Sequence, residues 1–175
     1  TSFDHNTFEY SPPAEVQNVT PPTANAKPGV GVNRQISPGD PPYNFVFENP
    51  TDAEHPARMA VITTTIDPDL DPTTFAFGPL GFREYQLIPA DGAQTFSALV
   101  QDIARSGVAV DIQASFEPAT RAVTWTFTSI DPDTAEPATD TDVGFLPPND
   151  ISMSGIVWVS YSAFPLANVA TGTRI

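Results

Sequence analysis

Val108-Ala109-Val110-Asp111-Ile112-Gln113-Ala114-Ser115-Phe116, Glu117-Pro118-Ala119-Thr120 and Val123-Thr124-Trp125-Thr126-Phe127 read in order as strand, turn and strand. Val108, Val110, Ile112, Ala114 and Phe116 alternate with Ala109, Asp111, Gln113 and Ser115, and Val123, Trp125 and Phe127 alternate with threonines. A side-chain period of two belongs to extended chain, and apolar-polar alternation marks a hairpin with one face on a core and one in water. Trp125 is therefore expected in the core.

The same period recurs on either side of this hairpin. Tyr43, Phe45 and Phe47 share one strand face, while Asn44, Val46 and Glu48 share the other. Residues 58–66, 82–88 and 156–164 read as further strands; the last is apolar on both faces through Ile156, Val157, Trp158, Val159 and Tyr161, which places it centrally in a sheet. Residues 95–103 are ambiguous, because Phe96, Leu99, Val100 and Ile103 also have helical spacing. A strand meeting Val108 across Arg105-Ser106-Gly107 suits the all-β surroundings better. About seven antiparallel strands with Pro/Gly corners predict an all-β, Greek-key β-sandwich.

A chain of 175 residues suits one well-buried core. Its 21 acidic and 7 basic residues give a net charge of -14, which repels nucleic acid phosphates and anionic membranes. Nucleic acid and membrane insertion are therefore not expected as partners. The chain has no cysteine, so disulfides, thiolate metal sites and a cysteine nucleophile are excluded. No apolar run approaches the about 20 residues of a membrane span. The chain opens at Thr1 without a signal peptide, and a mature or excised piece of something larger is expected.

Residues 1–42 carry Pro12, Pro13, Pro21, Pro22, Pro28, Pro38, Pro41 and Pro42 and show no sustained period. They form either a flexible linker or an extended arm that docks on a neighbour. Phe3, Phe8 and Tyr10 are the candidate anchors of such an assembly arm, since a linker has little need of large apolar side chains. Residues 43–175 are expected to form the sandwich domain. Asn18-Val19-Thr20 matches a glycosylation sequon, a pattern that also arises often by chance.

Two strands exit into alternating Asp and Pro, at Ile66-Asp67-Pro68-Asp69-Leu70-Asp71-Pro72 and at Ile130-Asp131-Pro132-Asp133. Proline cannot continue a ladder and aspartate bonds its own local backbone, so these are strand-to-loop corners. Asp67, Asp69 and Asp71, with Asp131 and Asp133, are candidate ligands for a hard cation, calcium being the candidate cofactor; the alternative is carboxylates that cap turns. The spacing is not that of an EF-hand, because Pro72 and Gly78 stand where that loop needs glycine and glutamate. A looser site could draw in Asp140, Asp142 or Asp150 if the corners met at one end of the sandwich. His5 and His55 lie in no metal or triad motif, and no nucleophile elbow or phosphate-cradling loop occurs, so no enzyme activity is expected.

Pro42-Tyr43-Asn44-Phe45-Val46-Phe47-Glu48-Asn49, Ala57-Arg58-Met59-Ala60-Val61-Ile62-Thr63, Leu70-Asp71-Pro72-Thr73-Thr74-Phe75, Val123 through Pro132, and Gly144-Phe145-Leu146-Pro147-Pro148-Asn149 carry a resemblance. Over residues 36–175 the chain resembles an immunoglobulin-like module that recurs in large secreted or surface-attached bacterial proteins of cyanobacterial and planctomycete type. The resemblance implies an immunoglobulin-like Greek-key sandwich, an extracellular or cell-surface location, and a structural or adhesive role without catalysis. In such modules a segment like Ala170-Thr171-Gly172-Thr173-Arg174-Ile175 runs on into another strand, so a sandwich one strand short is expected here. An open edge invites pairing with another chain, and an arm donated head to tail would build filaments. The expected partners are other copies of the chain or adjoining domains. The alternative is a carbohydrate-binding or adhesive module using exposed aromatics such as Tyr85, Tyr161 or Trp158.

Overall fold

The computed structural model describes residues 43–169, and the arm anchors Phe3, Phe8 and Tyr10 lie outside them, as do residues 170–175. Among the described residues nine strands run as β1 (Tyr43–Glu48), β2 (Met59–Thr65), β3 (Ala76–Phe77), β4 (Leu80–Phe82), β5 (Tyr85–Leu87), β6 (Thr95–Gln101), β7 (Ala109–Glu117), β8 (Ala122–Ile130) and β9 (Ile156–Ser162). A single turn of helix, α1 (Ile103–Ser106), joins β6 to β7 and ends on Gly107 in the left-handed conformation that its lack of a Cβ allows. The strands form two antiparallel sheets. One has the order β1-β9-β4-β5 with β3 also on β9; the other has the order β2-β8-β7-β6.

The period-two pattern sorts side chains between a shared interior and the two outer faces. Val110, Ile112, Ala114 and Phe116 from β7 and Val123, Trp125 and Phe127 from β8 are buried, as the alternation predicts. Tyr43 and Phe45 from β1 and Val157, Val159 and Tyr161 from β9 face them from the other sheet. Trp125 sits where the sheets meet, its ring centroid 5.5 Å from Phe77, 6.2 Å from Phe45 and 6.4 Å from Tyr161. Phe75 stacks on Phe116 at 4.0 Å, and Phe82 meets Phe127 edge-on. Burial of these rings holds the two layers together.

The ambiguous segment resolves as strand over Thr95–Gln101, paired with β7 from Thr95↔Ser115 to Gln101↔Ala109; only Ile103 falls in a helical turn. Residues 82–88, expected as one strand, are instead the second half of a tight hairpin. Phe82 pairs with Tyr85, leaving Arg83 and Glu84 as the turn, and Arg83 takes the positive φ of 49° that short hairpin turns require. No glycine marks this turn, which is why composition did not reveal it. β9 is central, with β1 on one side and β3 and β4 on the other. Among the described residues the outer strands of its sheet are therefore β1 and β5, and β9, the strand nearest the C-terminal end, is not an edge.

The expected motif Gly144-Phe145-Leu146 acquires a packing role. Phe145 is fully buried and stacks on Phe127 at 5.8 Å. Leu146 exchanges backbone hydrogen bonds with Ala57, and buried Asn49 donates from Nδ2 to the Leu146 and His55 carbonyls. These bonds seal the loop between β8 and β9 onto the chain between β1 and β2, satisfying backbone groups that burial would otherwise penalise.

Candidate functional site

The aspartate corners come first, because their residues carry the most suggestive chemistry. After β2, Asp67 Oδ1 accepts the Asp69 amide at 2.9 Å. Asp71 Oδ1 accepts both the amide and the hydroxyl of Thr73, at 2.9 and 2.7 Å, and caps a 3-10 turn over Pro72–Thr74. The Thr73 hydroxyl bond, then its amide bond, hold the Asp71 carboxyl below its ordinary pKa. Arg121 closes the corner by donating from Nη1 to the carbonyls of Asp67 and Leu70, at 3.0 and 2.8 Å. After β8, Asp131 Oδ1 accepts the Asp133 and Thr134 amides in the same manner. Asp140 and Asp150 likewise serve their own loops. In each case the carboxylate does the work of a turn, as short side chains near a strand end do.

The two corners are not brought together. β2 and β8 are antiparallel neighbours with Thr65 opposite Ala122, so the corner leaving β2 lies by the start of β8 and Asp131 lies past its end. β8 is nine residues long, and at ~3.3 Å per residue the corners stand roughly 26 Å apart. No single ion spans that distance. Among the described residues, no three of His, Asp and Glu gather into a group that would hold a metal ion. His55 lies 3.4 Å from Asp142 in an exposed loop contact.

The aromatics named for a sugar platform are placed unequally. Tyr161 is fully buried, because it shares the inward face of β9 with Val157 and Val159; burial pushes its phenol far above the usual range. Its exposure was expected and is not found. Tyr85 is half-buried and its hydroxyl is committed to Asp102, while Trp158 lies half-buried on the outer face.

A charged cluster was missed altogether. Asp102, between β6 and α1, has a fully buried carboxylate that accepts Arg83 Nη1 on Oδ2 and the Tyr85 hydroxyl on Oδ1, each at 2.9 Å. The Arg83 side chain is 7% exposed. Burial lowers the Arg83 pKa and the Asp102 charge opposes that; the Tyr85 pKa rises, chiefly through its bond to Asp102. The hairpin of one sheet is thereby tied to the far edge of the other. Both carboxylate oxygens serve protein donors, an arrangement suited to a tie between layers. Asp102 stands 19 residues from Arg83, and nothing local in either stretch signals the pairing.

The remaining candidate is the edge at β1. Among the described residues β1 pairs with β9 alone, and its sequence, Tyr-Asn-Phe-Val-Phe-Glu, holds no proline, glycine or lysine. Its single charge, Glu48, is at the last position and bonds Asn149. Val46 on the outer face is 57% exposed. Protein edge strands are usually blunted by lysine, proline or bulges, and this one has none of these within it. No described helix is long and apolar enough to cross a membrane. Set against family models, curated proteins and solved structures, the chain matches none.

Proposed function

We propose that this chain is a noncatalytic extracellular structural module of immunoglobulin-like Greek-key topology. It assembles head to tail, the N-terminal arm of one copy adding as a strand to the β1 edge of the next. The observation that carries the proposal is the sequence of β1, which holds no proline, glycine or lysine and one charge, at its last residue. A donor strand there extends the sheet through main-chain hydrogen bonds, and Phe3, Phe8 or Tyr10 packs beside Phe45 and Phe47 or against Val46. The topology is supported by β8 lying beside β2 although the chain crosses between sheets twice in the interval. The extracellular setting rests on the acidic composition and on the sequence resemblance.

Assembly of this kind depends on apolar burial and backbone bonds, so it is nearly insensitive to salt. Light scattering and electron microscopy should show oligomers or filaments for the full chain and a folded monomer after deletion of residues 1–36. Val46→Lys should also leave a monomer, by placing a charge at the junction. A full-length chain that stays monomeric at every concentration tested, with the arm open to protease, would defeat the proposal.

A further inference from the structure

We infer that the outer face of the β2-β8-β7-β6 sheet binds a neutral carbohydrate chain, at a site separate from the β1 edge and independent of the assembly proposal. Two ranks of side chains cross this face in register: Thr95, Ser115 and Thr124, then Ser97, Gln113 and Thr126. They line a shallow basin of about 550 Å³, within the roughly 300–1,000 Å³ usual for ligand sites.

The lining contains no charged residue, in a chain of net charge -14. The overall field repels an anion, and the one carboxylate bordering the lining, Asp111, is engaged by Gln113. A neutral ligand remains. Every polar group in the two ranks both donates and accepts, which matches the hydroxyls of a sugar. The five hydroxyls of the basin make no hydrogen bond to the protein among the described residues, so they are open to a ligand as they are to water. Gln113 alone is tethered: its Nε2 donates to Asp111 Oδ1 at 2.9 Å, which leaves its carbonyl oxygen as the amide group available to a ligand. Strand spacing sets the groups on a grid of ~4.8 Å across strands and ~6.8 Å along them. A regular grid in an open basin fits a repeating chain better than a compact small molecule.

Affinity electrophoresis in native gels containing hydroxyethylcellulose, dextran or galactomannan tests this, with alginate as an acidic comparator. Ser115→Arg and Thr126→Arg fill the basin from outward-facing positions, and Gln86→Arg, exposed on β5 of the other sheet, is the control. Retardation is expected in at least one neutral gel, with affinity about tenfold weaker or worse in each arginine variant and unchanged in the control. Should an arginine variant fail to fold, Ser97→Ala and Gln113→Ala make the same comparison by removing hydrogen-bonding groups alone. No retardation in any neutral gel, retardation by alginate only, or retardation indifferent to the basin variants overturns the inference. None of these results bears on filament formation.

Discussion

Replacing Asp102 probes the tie between the sheets, and its effect follows from burial. With the carboxylate gone, the Arg83 guanidinium, 7% exposed, keeps its charge in a site that water scarcely reaches. Breaking a buried pair from one side costs about 3–5 kcal/mol, because the surviving charge is left uncompensated. Tyr85 loses its acceptor as well, but it is half-buried and water replaces the bond. Arg83 also holds a left-handed backbone conformation that costs about 1–3 kcal/mol for a non-glycine residue and persists only where its surroundings enforce it. Asp102→Ala should therefore lose ~4 kcal/mol, a large share of a typical 5–15 kcal/mol domain stability, and lower Tm by roughly 10 °C or more. The double variant Arg83→Met with Asp102→Leu removes both charges and should recover to within about 1–2 kcal/mol of the parent. Urea unfolding followed by tryptophan fluorescence, compared at constant m, measures Asp102→Ala and the cycle formed by Arg83→Met, Asp102→Leu and their double variant. A loss below about 1 kcal/mol in Asp102→Ala, or strictly additive single effects, would refute the idea that this pair is buried and coupled.

Trp125→Ala should cost on the order of 3–5 kcal/mol from lost burial and the cavity left behind. Trp125→Phe should cost much less, because the indole Nε1 is buried without an acceptor and its removal relieves that penalty; equal losses in thermal melts would contradict this placement. Tyr161, whose hydroxyl is also buried without a partner, has a pKa raised by burial above the ordinary 10.0. The folded state holds that proton more tightly, so the stability is intact below pH 10.0 and falls as pH rises beyond it; Tyr161→Phe should flatten that alkaline decline in a pH series of urea midpoints. Because Asp67, Asp71 and Asp131 already serve backbone donors, melts in chelator and in millimolar calcium at fixed ionic strength should coincide. A rise of several degrees with calcium would instead place an ion at the Asp67–Asp71 corner.

What could be read along the chain was whatever has a local cause. The alternation of Val110, Ile112, Ala114 and Phe116, and of Val123, Trp125 and Phe127, reports strand and buried face together, since successive side chains in extended backbone must point to opposite sides. The Asp-Pro runs likewise announce corners, because proline ends a ladder and aspartate bonds the amide two residues on. The outer hydroxyl face was visible only as polar positions between apolar ones. Nothing local assigns strands to neighbours. That β8 lies beside β2, that β1 closes one side of β9, and that the Asp67 and Asp131 corners point to opposite ends depend on how two sheets bury their apolar faces against each other. The hairpin at Arg83 and the ion pair with Asp102 belong to the same class. A positive φ on an arginine and a charge sealed from water persist only where contacts from distant segments enforce them, so they were decided by the tertiary structure alone.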